Sequence, residues 1–179
     1  YNPFMSAALP AAIQAAHGGD YAPVASLGAT FAGALRPTFS MGMSLSVLCA
    51  EDAPYFTEAE MDADARGTFL GEDFANGLHE ACADWPSGSV PVGYHEAVMS
   101  DIPTLLLSGE GDPVTPPGFA EEAAASLSSS LHLIFPEMGH GQTPSPCGAA
   151  VVSAFYRSGS VDGLDTSCVT NVRRPSFTR

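Results

Sequence analysis

The sequence predicts an α/β fold in which parallel strands carry covering helices and are preceded by a mainly helical region. Three observations lead there. Pro103-Thr-Leu-Leu-Leu-Ser108 and Leu131-His-Leu-Ile-Phe135 are short apolar runs bounded by turn-forming residues, the mark of buried strands. Between them, Phe119, Ala123 and Leu127 recur at helical spacing, which makes the unit β-α-β, and a right-handed crossover makes its strands parallel. Upstream, Leu9, Ile13 and Ala16, and again Phe74, Leu78 and Cys82, recur at helical spacing.

Composition bounds the function. At 179 residues, with 45% hydrophobic content, the chain has enough material to bury a core and is not a disordered sequence. No stretch approaches eighteen uninterrupted apolar residues, so no membrane-spanning segment is expected. The formal net charge is -14, and all six basic residues are arginines, three of them (Arg173, Arg174 and Arg179) in the last seven positions. A surface of that sign repels phosphate backbones, which argues against a nucleic-acid partner. No glycine-rich phosphate loop is present, because Pro113 and Val114 stand where the helix of a G-x-G-x-x-G fingerprint would open. No cofactor is implied.

Taken in order, Ser6 to His17 is Ala-rich with Leu9, Ile13 and Ala16 at helical spacing, and stops at the C-cap pair Gly18-Gly19. Residues 21–40 read as a short helix followed by irregular structure. Met41 to Cys49 is continuously apolar, and periodicity leaves helix and strand open. Thr57-Glu-Ala-Glu60 has the form of a capping box, so a helix is expected from Glu58. Phe74, Leu78 and Cys82 recur every four residues, which directs Cys82 inward, and Trp85-Pro86 closes that segment with Trp85 read as a packing residue. His79-Glu80 lacks the second histidine of a metal-binding H-E-x-x-H, so no metal site is expected. His17, His95 and His132 read as ordinary surface or strand residues. Before the central helix, Thr115 is a plausible N-cap with Pro116 as first helical residue, and Glu121 and Glu122 complement its dipole. Gln142 to Pro146 is a turn, Ala149 to Tyr156 is a helix with Val151, Val152 and Phe155 on one face, and the tail is expected to fray beyond Pro175.

The two strands each deliver one polar residue beyond their carboxyl ends: Asp112, in Gly109-Glu-Gly-Asp-Pro-Val-Thr-Pro-Pro117, and His140, in Gly139-His-Gly141. In a parallel sheet those loops share one edge, so the two side chains meet there. Asp followed by His is the chain order of the last two members of a Ser-Asp-His hydrolase triad. The carboxylate fixes the imidazole tautomer and stabilises the imidazolium formed when histidine takes the serine proton. These residues, with Ser46-Val-Leu-Cys-Ala-Glu-Asp52, Cys82-Ala-Asp-Trp-Pro86, Asp165-Thr-Ser-Cys168 and Arg173-Arg-Pro175, resemble the C-terminal part of the tripeptidyl-aminopeptidase-like serine hydrolases, which are secreted α/β-hydrolases. The likeness covers most of the chain.

The resemblance implies that residues 1–100 are the remainder of a helical cap or lid, that residues 101–179 close the hydrolase core, and that Asp112 and His140 are catalytic. It implies a peptide or acyl substrate and a secreted or extracytoplasmic location. An aminopeptidase needs a carboxylate for the substrate's α-ammonium group. Glu51 and Asp52 are candidates for that role, although the residues themselves favour the plainer reading of a solvated helix end beside a disulfide. Cys49, Cys82, Cys147 and Cys168 form an even set without C-x-x-C spacing and allow three connectivities. With the resemblance they point to an oxidising compartment and favour Cys49 with Cys82 and Cys147 with Cys168, each bridge worth about 3 kcal/mol in the chain-entropy model.

One feature departs from the family. The G-x-S-x-G nucleophile elbow is absent, and the nearest sequence, Gly42-Met-Ser-Leu-Ser46, ends in Ser where the tight turn needs Gly. The serine is therefore expected upstream of Tyr1, with the missing N-terminal part of the hydrolase as a possible partner. The alternatives are a non-catalytic hydrolase relative that binds a peptide or partner, and part of an esterase.

Overall fold

The computed structural model describes residues 2–37, 39–68, 71 and 73–178. The chain forms two compact units, one of Tyr1–Gly28 with Ala97–Arg179 and one of Ala29–Glu96.

The first unit holds the β-α-β element. Strand β1 (Thr104–Gly109) and strand β2 (Ser130–Phe135) pair in parallel, Thr104 opposite Ser130 and Gly109 opposite Phe135. Among the described residues these two strands make up the whole sheet. Helix α7 (Pro117–Ala124) connects them and packs against both, and α8 (Pro146–Ser158) follows and touches β1. Among the described residues, Phe135 and Val151 are the largest fully buried side chains, which sets the core of this unit between the end of β2 and the inner face of α8. Val152 and Phe155 are half-buried beside Val151, as their helical spacing predicts. Ser145 caps α8 by accepting the Gly148 N–H, Pro146 takes the first helical position, and Gly159 ends the helix at φ 64°, a conformation glycine adopts at little cost.

The N-terminal helices of this unit are α1 (Pro3–Ser6) and α2 (Leu9–His17), the latter closed by Gly18 as expected. The buried position on α2 is Ala12, whereas Ile13 is 62% exposed and Leu9 is exposed too, so the expected Leu9–Ile13–Ala16 face is not the packed one. The small residue is the enclosed one, and the larger residues turn outward. The C-terminal tail departs from expectation as well. Thr178 donates both its backbone N–H and its hydroxyl to Ala7 O, at 2.9 and 3.2 Å, and the Arg174 guanidinium lies 3.8 Å from the Phe177 ring centroid. The tail is held by hydrogen bonds and a cation–π contact that composition does not announce.

Helix α3 (Ala22–Leu35) is longer than the short helix expected. In the second unit, Met41 to Glu51 forms α4, which resolves the open reading in favour of a helix, and a single 3₁₀ turn follows at Ala53–Tyr55. Helix α5 (Glu58–Ala65) opens on the expected capping box: Thr57 Oγ1 accepts the Glu60 N–H and the Glu60 carboxylate accepts the Thr57 N–H. The Thr57 hydroxyl and N–H hold the Glu60 carboxyl below its ordinary pKa. Helix α6 (Asp73–Asp84) buries Leu78 and is tied to α4 by the Cys49–Cys82 disulfide; the Phe74 side chain of the same spacing lies outside the described residues. Trp85 packs on the first turn of α4 and donates from Nε1 to Ser46 Oγ at 3.1 Å, the packing role expected of it.

Candidate active site

The two loops beyond β1 and β2 stay knitted together after the strands end. Glu110 N–H donates to Phe135 O, Gly111 N–H to Met138 O, and Glu137 N–H to the Glu110 carboxylate at 2.8 Å. Their approach is closest at Gly109, where an added Cβ would stand 2.1 Å from Gly139 O and 2.5 Å from Met138 O. Only glycine permits that spacing. A second lock comes from Gln142, 2% exposed, whose Nε2 donates to Gly139 O at 2.6 Å. Gly148 admits the Gln142 carbonyl, 2.0 Å from where its Cβ would be, so the first turn of α8 presses on the same loop.

This scaffold brings Asp112 and His140 together. His140 Nδ1 lies 2.9 Å from Asp112 Oδ2 and 3.2 Å from Oδ1. Asp112 is 6% exposed, while about a third of the His140 side chain is open, so the acid is enclosed and the imidazole accessible. Asp112 Oδ1 accepts the N–H groups of Val114 and Thr115 at 2.8 and 3.0 Å, and Oδ2 accepts the Thr115 hydroxyl at 3.1 Å. Burial pushes the Asp112 carboxyl up, but the Thr115 and Val114 N–H groups, His140 and the Thr115 hydroxyl together outweigh it and hold the pKa below the ordinary value. The carboxylate is therefore ionised beside the imidazole.

Thr115 corrects the sequence reading. Helix α7 starts at Pro117 after Pro116, with no side-chain cap and no acidic residue in its first turn, so neither the Thr115 N-cap nor the dipole role of Glu121 and Glu122 holds. Thr115 instead serves the site: besides its two bonds to Asp112, its Oγ1 lies 3.3 Å from His140 Nδ1. An Asp whose side chain accepts N–H groups two and three residues on is an Asx-type turn, and that competing pattern was present in Asp112-Pro-Val-Thr115. The helical face also shifts, since Phe119 is 62% exposed and Leu127 lies past the helix end, in a parallel bridge with Ser100.

Other candidates fall elsewhere. Gly42-Met-Ser-Leu-Ser46 lies within α4, where the Ser46 hydroxyl donates to Gly42 O, so Ser44 is not on a strand-to-helix elbow. Glu51 ends α4 and accepts the Tyr94 hydroxyl, which raises the Tyr94 pKa; Asp52 follows as the helix C-cap. His79 stacks on Phe56, and His95 lies between Tyr55 and Tyr94, 4.0 and 5.2 Å between ring centroids. His132 is not a plain strand residue: its Nε2 is 2.9 Å from the buried Ser108 Oγ. Among the described residues, no group of three or more His, Cys, Asp or Glu side chains is placed to hold a metal ion. Both disulfides join sequence neighbours, Cys49 with Cys82 and Cys147 with Cys168.

Residues 67–168, more than half of the chain, match the family model described as TAP-like protein. The chain belongs to the TAP-like α/β-hydrolase family. The match spans α6, the whole β-α-β unit and both loops of the candidate site, and ends at Cys168 of the second disulfide. Neither the curated proteins nor the solved structures gave a match. The TAP-like assignment makes this a hydrolase-family domain with a partial α/β fold, and the pair of disulfides fits an oxidising environment. No helix among the described residues is long and apolar enough to cross a membrane.

Proposed function

We propose that Asp112 and His140 are the acid and base of a Ser-Asp-His triad in a secreted serine hydrolase, an aminopeptidase of tripeptidyl-aminopeptidase type, with the serine supplied from outside these 179 residues. The observation that carries the reading is the 2.9 Å contact between the enclosed Asp112 carboxylate and Nδ1 of the accessible His140, in a TAP-like chain. In this scheme a serine Oγ attacks the acyl carbon, His140 takes its proton and passes it to the leaving amine, and water repeats the cycle to release the acyl group. Asp112 orients the imidazole and stabilises its cation. Residues 1–100 act as the cap or lid, and Glu51 and Asp52 receive the substrate's α-ammonium group.

The absence of G-x-S-x-G favours one other reading, a binding module that has kept the pair without using it. Serine-directed phosphonate labelling and fluorogenic aminoacyl amides separate the possibilities. This chain alone is expected to show neither labelling nor a burst, whereas the hydrolase carrying the serine shows both and loses turnover on the order of 10⁴-fold with Asp112→Asn. Stoichiometric labelling of Ser44 in this chain contradicts the external serine. An Asp112→Asn hydrolase of undiminished turnover contradicts the triad.

A further inference from the structure

The loop that carries His140 also lines a cavity of about 740 Å³, formed entirely within the first compact unit. That volume is in the range of small-molecule sites, roughly 300–1,000 Å³. Met138, Pro144, Pro146, Ala150 and Val172 give it apolar walls, and among the described lining residues the one arginine is Arg173. Arg173 Nη1 donates to Thr170 O and Val172 O at 2.7 and 2.6 Å, which fixes the guanidinium in place. A guanidinium has five donors, so this anchoring occupies one nitrogen and leaves the others for a ligand. Among the described residues, the ion pairs are His140 with Asp112 and Arg174 with Glu137, and Arg173 belongs to neither. What sets Arg173 apart from the other described arginines outside those pairs is its place at this cavity beside the His140 loop.

We infer that this cavity is a substrate subsite for an apolar group bearing a carboxylate, such as the apolar last residue of a short peptide, with Arg173 receiving the carboxylate. The inference deepens the proposed hydrolase and rests on that reading for the word substrate. A single guanidinium presents one planar fork, which matches a monoanionic carboxylate and leaves a phosphate dianion partly uncompensated. Arg173 is exposed at the rim, so the pair forms at the mouth of the cavity while the apolar group enters it.

The test is an amide-resolved NMR titration of this full chain with N-acetyl-leucine, N-acetyl-leucinamide and inorganic phosphate. The acid is expected to move the Ala150 and Val172 signals and to bind about fivefold more tightly than the amide, the upper margin of an exposed ion pair. Arg173→Gln should abolish that margin, Arg173→Lys should keep part of it, and Ala150→Met, which fills the cavity, should weaken both organic probes alike. Equal binding of acid and amide, an acid preference surviving in Arg173→Gln, phosphate binding as tight as the acid, or no shift with any probe would each overturn the inference. An inactive triad with an Arg173-dependent acid preference refutes the hydrolase and leaves a binding cavity; an active hydrolase without that preference refutes the subsite alone.

Discussion

A methyl group on Gly109 has nowhere to go, since two backbone carbonyls of the His140 loop stand within 2.5 Å of its position. Gly109→Ala should therefore cost about 1–3 kcal/mol, the range for overpacking that forces a backbone shift, read as a lower urea midpoint with an unchanged slope. The carboxyl of Asp112 supplies a pH test. Its folded pKa is depressed, so the stability it contributes is complete above the ordinary carboxylate value of about 3.9 and is lost as pH falls through the lower folded value. Below about pH 4 the wild-type urea midpoint should thus fall more steeply than that of Asp112→Asn. Asp112 and His140 were legible because their residue types, order and position after apolar runs state a chemistry. Thr115 and Gln142 were not, because a Thr before Pro-Pro satisfies a helix cap on paper, and a buried Gln in a turn has no periodic or compositional signal.

At the scale of elements, α5 is the clearest case of local sequence deciding local structure. Its capping box is satisfied on both sides at an exposed helix start, so no packing competes with it. Thr57→Ala should cost about 1 kcal/mol, detected as faster amide exchange confined to the first turn of α5. The strands were legible to within a residue at each end because their apolar runs were short and bounded. The packed faces of α2 and α7 were not. There the buried positions are small or lie near helix ends, Ala12 in α2 and the half-buried Ala120 and Ala124 in α7, while Ile13 and Phe119 turn outward. Hydrophobic spacing names a helix more reliably than it names which stripe faces the core.

For the molecule as a whole, the disulfides make the plainest prediction. Each closes a loop inside one compact unit, 33 and 21 residues apart in sequence. The non-reduced mass should be lower by about four protons than the fully reduced mass, and peptide maps should show only the two neighbour pairings. Four alkylatable thiols in the native protein would contradict both the bridges and the proposed secreted location. Chain organisation was less legible than either strand. Residues 1–28 share a compact unit with the β-α-β element across some seventy intervening residues, an association made by tertiary hydrogen bonds such as Thr178 to Ala7 that no local pattern encodes.

The central claim is that Asp112 prepares His140 to act as a base, and the tautomer of His140 tests it most directly. Nδ1 faces three oxygens, Asp112 Oδ1 and Oδ2 and Thr115 Oγ1, so the proton of the neutral imidazole belongs on Nδ1, leaving the Nε2 lone pair to accept from a serine. Nitrogen-15 NMR of the neutral ring should show the Nδ1–H form in the wild type and a loss of that preference in Asp112→Ala. A wild-type His140 protonated on Nε2, or a tautomer indifferent to Asp112, would contradict the account.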